Sequence, residues 1–291
     1  MFITLCSTAL VLMTTAASAA SLAPSLLEIE AVRGEVVEQS VKIINTEAVE
    51  QTYFMGVMKF KASEDGSTPS FVPFDQDHSG LPEWISFPVT EVHVPARSSV
   101  DVPFKISVPN DVRSGGYYAG VTVSNAPSDV VATNGAIIDA KTAQLVLLTV
   151  KGETRIQTGL LDMTSSLFGN VLTSVHGTIH YRLQNQGNVH VKPVGTIRFT
   201  DSLRRIVFQT DANQAEARVL PGSTRTFEVD VKPVHQLLAV GPITVTLDLE
   251  DGSGSHQQLS QTFLLIPWSV IGGLLVLVAL AIVSRKRTKR S

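Results

Sequence analysis

The chain has 291 residues, 44% hydrophobic and only 17% charged, which is enough apolar material for about two domains and excludes a largely disordered chain. Aromatics are 6% and the net charge is -3, yet five basic residues crowd the last seven positions, leaving residues 21–262 with 18 basic against 26 acidic groups. That balance excludes nucleic acid as a partner of the main body, because phosphate binding is driven by Lys and Arg releasing counterions.

The first twenty residues hold an apolar run from Leu5 to Met13, then Ala17-Ser18-Ala19, the small-x-small pattern of a signal-peptidase site. A cleaved secretory signal over residues 1–20 is expected. A retained N-terminal span is the alternative, and the run is short for crossing. No Lys or Arg precedes it, so either the Met1 amine supplies the positive end or the true start lies upstream. Cys6 is the only cysteine, so after cleavage disulfides, thiol nucleophiles and thiolate metal sites are impossible.

From residue 21 onward, apolar residues alternate with polar ones. Val100, Val102, Phe104, Ile106 and Val108 mark one half-buried strand, and Tyr117, Ala119, Val121 and Val123 mark another. Between them and the N-terminus, Phe74-Asp75-Gln76-Asp77-His78-Ser79-Gly80 begins like a calcium loop, with Asp75, Asp77 and Ser79 as candidate ligands. Its twelfth position is Ser86 rather than a bidentate Glu, so a solvated acidic loop before a core Trp84 is the competing reading. In Gly115-Gly116-Tyr117-Tyr118, Tyr117 falls on the buried side. Tyr118 alternates outward, where an aromatic can bind a sugar face; two glycines turning the chain into a strand is the simpler reading. The run Leu145–Val150 lacks alternation and should be a strand buried on both faces.

The pattern then repeats. Val175, Ile179, Tyr181 and Leu183, then Phe227, Val229 and Val231, then Ile243, Val245, Leu247 and Leu249 each alternate. Asn45 and Asn185 both end strands, Pro95 and Pro221 both open turns, and Gly116–Val123 resembles Gly241–Leu247; the offsets fall from about 140 to about 125 residues, as for two copies of one fold. The expected fold class is all-β: two tandem immunoglobulin-like antiparallel sandwiches, over 21–151 and 153–258, plus one C-terminal transmembrane helix. His176 and His180 share a strand face with His190 nearby in sequence, which makes an imidazole cluster conceivable; alternation puts the first two on the solvated side. No Gly-x-Ser-x-Gly elbow, His-Glu-x-x-His helix or phosphate loop occurs. The chain reads as a non-enzyme without a cofactor.

Phe263–Val283 is 21 residues without a charge, roughly 31 Å of helix, and is expected to cross the membrane. The basic tail 284–291 should remain cytoplasmic, placing residues 21–262 outside a plasma membrane crossed once.

Pro24, Gly34, Asn45, Trp84, the Pro95 turn, Val108-Pro109-Asn110-Asp111 and Gly115-Gly116-Tyr117-Tyr118-Ala119-Gly120 resemble the first domain of the WxL-interacting surface proteins. The whole layout of signal, two immunoglobulin-like domains, helix and basic tail is similar to theirs. The resemblance implies a bacterial cell-surface scaffold whose first domain contacts peptidoglycan or another cell-wall glycan and whose second engages surface proteins. It transfers no contact residues. The alternative is an extracytoplasmic, assembly-chaperone-like protein acting by strand addition, although such chaperones are free of membrane anchors and use a basic pair that is not evident in this chain.

Overall fold

The computed structural model describes residues 20–64, 66–72, 76–125, 141–231 and 240–288. The expected signal segment with Cys6, the loop residue Asp75 and the last three tail residues lie outside them.

Runs of β-branched and aromatic residues broken by Gly, Pro and Asn turns fold into strands. The first sandwich contains β1 (Ser21–Ala23), β2 (Leu26–Ala31), β3 (Val36–Ile44), β4 (Gln51–Ala62), β5 (Pro69–Val72), a one-turn helix α1 (Leu81–Trp84), β6 (Ile85–Ser86), β7 (Glu91–Val94), β8 (Ser99–Ser107), β9 (Gly115–Ser124) and β10 (Thr142–Val150). One sheet has the order β1-β3-β8-β6; the other has β2-β10-β9-β4-β5, with β7 also on β4. The N-terminal strand is shared between sheets. β1 pairs antiparallel with β3, and after the cis Ala23–Pro24 bond β2 runs parallel to β10.

The second sandwich contains β11 (Thr158–Ser165), β12 (Val171–Leu172), β13 (Gly177–Asn185), β14 (Val194–Asp201), β15 (Ile206–Asp211), β16 (Thr224–Val231), β17 (Gly241–Glu250) and β18 (His256–Leu265). Its sheets have the orders β11-β13-β16 and β12-β18-β17-β14-β15. Strand for strand, β11 to β15 take the places of β1 to β5, and β16, β17 and β18 those of β8, β9 and β10. Both units are immunoglobulin-like sandwiches.

The duplication extends to a buried hydrogen-bond network. Asn45 Nδ2 donates to the Val49, Val94 and Pro95 carbonyls at 2.9–3.1 Å, and its Oδ1 accepts from Glu47 N. Asn185 Nδ2 donates to Val189 and Val219 O at 2.8 and 2.9 Å, and its Oδ1 accepts from Gly187 N. Each amide ties the end of its strand to the turn that opens the strand across the sheet.

The cores follow the alternation. Val102, Phe104 and Ile106 of β8 are buried with Val41, Ile43 and Tyr53 in the first sandwich, and Ile179, Tyr181 and Leu183 of β13 with Ile197, Phe199 and Leu247 in the second. β10 is buried on both faces at its centre: Val146 and Leu148 meet the core, and Leu147 is 2% exposed on the other side.

The C-terminus departs from expectation. Phe263 and Leu265, assigned from sequence to a transmembrane helix, are buried core residues at the end of β18. The second sandwich therefore continues to Leu265, past residue 258, and α2 (Trp268–Thr288) begins only after Pro267. Hydropathy cannot separate an apolar strand end from the apolar helix that follows it. Before Ser284 and the basic run α2 has sixteen uncharged residues, or roughly 24 Å, and among the described residues no helix is long and apolar enough to cross a membrane.

Candidate binding site at the junction of the sandwiches

The linker from β10 to β11 is clamped by one side chain. Asn188 Oδ1 accepts from Arg155 N at 2.6 Å, while its Nδ2 donates to Glu153 O at 3.0 Å and to Ser114 O at 3.3 Å. Gly116 N donates to the Asn188 carbonyl at 2.7 Å. Gly115, at φ 148°, lies so close to that carbonyl that a side chain there would press on it. The two glycines that sequence reads as a turn into a strand are thus also a docking surface for the second sandwich.

Tyr118 occupies the outer face of β9, as its alternation requires, and the second sandwich covers it. Its ring meets His190 edge-on at 5.8 Å and Phe60 at 6.0 Å. The hydroxyl stands 3.5 Å from His190 Nδ1, over Gly116, where no side chain would fit. Burial raises the phenol well above its ordinary value. Tyr118 bridges the sandwiches and is half-buried between Phe60 and His190.

His190 is only 13% exposed, with Nε2 3.4 Å from Glu28 Oε1. Glu28 is also gripped by Arg218, Nε to Oε1 at 2.6 Å and Nη2 to Oε2 at 2.9 Å. The Arg218 hydrogen bonds hold the Glu28 carboxyl below its usual range against the opposing effect of burial. Burial pushes the His190 imidazole down, with Glu28 opposing and Arg218 assisting. None of this constellation was picked out from sequence apart from His190, as a possible metal ligand, and Tyr118. Residues so far apart in the chain leave no local spacing to read.

Beside this contact the sandwiches enclose a groove of about 480 Å3. Its floor is the outer face of the β2-β10-β9-β4-β5 sheet, where Leu26, Leu145, Leu147, Phe60 and Phe71 are apolar on the side that usually faces water. The Phe71 ring lies directly over Gly120. Arg218 and Arg225 stand on the opposite wall, the latter with its guanidinium 5.7 Å from the Phe227 ring centre.

A second cleft, about 520 Å3, lies beneath α1. Trp84 and Tyr117 pack there with ring centres 4.6 Å apart, and Tyr117 donates to Arg113 O at 2.8 Å. Lys59, Glu83 and Asp111 supply polar groups. At its edge the candidate calcium loop is tied down by a lysine. Lys59 Nζ donates to Asp77 Oδ2 at 2.8 Å and to Ser79 Oγ at 3.0 Å, and Ser79 donates to Asp77 Oδ1 through both N and Oγ. These contacts hold the Asp77 carboxyl far below its ordinary value, the Lys59 hydrogen bond most of all. Asp75 lies outside the described residues.

The three histidines are not brought together. His176 meets Ser174 at 3.0 Å, His180 meets Glu228 at 3.5 Å across β13 and β16, and His190 is at the junction. Among the described residues no group of three His, Cys, Asp or Glu could hold a metal.

No protein-family model matches the chain, and no curated protein matches it. Among solved structures it is similar to a chain of the chaperone–tip adhesin complex of CFA/I fimbriae biogenesis, with 14% identity over 86% of this chain and 100% of that one at a TM-score of 0.40. It is similar to a chain of the Salmonella enterica SafA pilin–SafB chaperone complex, with 10% identity, 87% and 99% coverage and a TM-score of 0.39. The Pseudomonas aeruginosa CupB2 chaperone gives 10% identity, 83% and 99% coverage and a TM-score of 0.36. At these scores function has to be argued from the chain's own geometry.

Proposed function

We propose that the chain is a non-enzymatic, extracytoplasmic binding protein that shields an apolar, extended segment of a partner polypeptide in the groove between its sandwiches. The observation that carries this is the apolar outer face at Leu26, Leu145, Phe60 and Phe71, walled by the second sandwich. An outer sheet face of that kind stays soluble when covered, and a groove between domains is a usual place for a ligand. An assembly-chaperone-like role is the form of this reading that the groove supports most directly. The test is a photoreactive side chain at position 71 of the full chain in its own cells. A discrete protein adduct is expected there and absent with the same probe at Leu203, which is 71% exposed outside the groove; equal labelling at both positions refutes the proposal.

A cell-wall glycan is the second reading, favoured by the Trp84–Tyr117 pair in a cleft with polar walls. It expects the full chain in detergent to sediment with isolated peptidoglycan, and Tyr117→Ala to abolish this. A surface scaffold like the WxL-interacting proteins needs both sites.

Anchoring belongs to the same proposal. Leu274, Leu275, Val276, Leu277, Leu280 and Ile282 are exposed around α2, and a helix apolar on all sides belongs in lipid. Its 24 Å or so falls short of a ~30 Å hydrocarbon core, a mismatch that basic residues beyond Ser284 can relieve by extending to the interface. Retention in the membrane pellet at alkaline pH is expected; release refutes the anchor.

A further inference from the structure

β10 and β18 are equivalent last strands of the two sandwiches, and their free edges are treated differently. In the first sandwich β2 lies parallel to β10 over six pairs, from Leu145↔Leu26 to Val150↔Ala31. Aligning Val150↔Gly115 with Leu265↔Gly241 makes Ser260 the counterpart of Leu145. In the second sandwich the covering strand β12 contributes only Val171↔Leu264 and Leu172↔Leu265. The chain crosses late, because β11 stays with β13 for eight residues before the loop that leads to β12. Gly169 N reaches back to Thr262 O and Leu264 N to Asn170 O. From His256 to Gln261, no strand pairs with the edge of β18 that faces away from β17 among the described residues.

Those bonds set the phase of the edge: backbone groups of even-numbered residues face outward, so Gln258 and Ser260 present N–H and C=O to an incoming chain. The seam behind them is open too. Gln261 has the inward phase of Leu259 and Phe263 but is exposed, and in β11 the register shift between Leu160 and Asp162 leaves Leu161 46% exposed. Gln257 closes the seam at its lower end, accepting from Leu160 N and donating to Thr158 O.

We propose that the β18 edge from His256 to Gln261 is a second binding site, which takes an extended polypeptide segment of a partner as a parallel strand in line with β12. Three observations fix the occupant. The fold fills the equivalent edge with such a strand, β2, whose Ile29 and Ala31 point inward and whose Glu28 and Glu30 point outward. The new strand would continue the parallel ladder that β12 begins, so its inward apolar side chains cover Leu161 and Leu259. Asp248 and Glu250 stand one strand further in, opposite Gln258 and His256 on the outer face, so outward basic residues near the N-terminal end of the segment complement them. A second copy fits less well: an edge paired with itself about a twofold axis is antiparallel, and β18 leads straight into α2, so the two helices would leave in opposite directions.

This edge shares no residue with the groove, and the two sites can be tested separately. The probe is a synthetic peptide of residues 24–33 with lysine in place of both glutamates, added to the full chain in detergent. Slowed amide exchange at Gln258 and Ser260 is expected, and Ser260→Pro, which removes one edge donor, should weaken binding about tenfold or more. Leu161→Arg, at an exposed position that does not endanger folding, should weaken it similarly, and restoring the glutamates should weaken it by repulsion. Absence of binding, protection confined to other strands, or parent-like affinity in both variants overturns the proposal. So does a dimer of the free chain that Ser260→Pro dissociates.

Discussion

Arg218 and Glu28, 190 positions apart in sequence, meet as a two-pronged ion pair across the junction. The arginine is 15% exposed and the carboxylate 40%, so the pair is partly shielded from solvent and each loss of a partner leaves the other charge uncompensated. Arg218→Met should cost about 1 kcal/mol and free the sandwiches to move. Spin labels on the two sandwiches would report a broader distance distribution; an unchanged distribution would show that the Asn188 clamp alone orients them.

His190 makes the same contact pH-sensitive. Its imidazole lies below the ordinary 6.5 because it is buried, with Glu28, Arg218 and the Tyr118 hydroxyl as the groups around it. The unfolded chain therefore binds a proton near pH 6 that the folded chain refuses, and stability rises with pH. This contribution is present above the unfolded value of about 6.5 and is lost as pH falls through it toward the lowered folded value. Urea midpoints at pH 5.5 and 7.5 should differ less in His190→Gln than in the parent; an identical difference would assign the effect elsewhere.

Asn45→Ala and Asn185→Ala remove matching networks. Each strands two or three carbonyls in a buried corner, so a loss of about 2–4 kcal/mol is expected for either, from unsatisfied groups at about 1–3 kcal/mol apiece with partial relief by water. Denaturant unfolding measures it. A loss below about 1 kcal/mol for both would mean that the turns hold without the amides.

Tyr118→Phe keeps the ring between Phe60 and His190 and should change stability by less than about 1 kcal/mol, whereas Tyr118→Ala opens a cavity at the junction and should cost about 3 kcal/mol. Gly116→Ala pushes a methyl group into the Tyr118 hydroxyl and should behave like a junction mutant. In the double variant Gly116→Ala, Tyr118→Ala, that part of the penalty should disappear, which a double-mutant cycle reads directly.

Much of the fold is legible in sequence because it is local. Val102, Phe104 and Ile106 announce their face by alternation, and the strand-ending Asn45 and Asn185 mark the repeat. The functional surface is legible only to the level of a single strand. Alternation places Tyr118 on an outer face and says nothing of what covers it; the covering residue, His190, is 72 positions away. Phe263–Leu265 shows the converse limit, since a buried strand end and an apolar helix have the same composition and differ only in what lies beside them.

β18 passes into α2 through Ile266 and Pro267 alone, with Ile266 N bound to Leu172 O. A pull on α2 therefore enters the molecule along β18, whose ladder with β17 runs from Gly241↔Leu265 to Glu250↔His256. Bonds perpendicular to the strands take that load in shear, all together, instead of parting one at a time. Under the anchoring proposed above, β18 is a stiff tether, and a load on the first sandwich is absorbed first by the joint that Asn188, Glu28 and Arg218 hold.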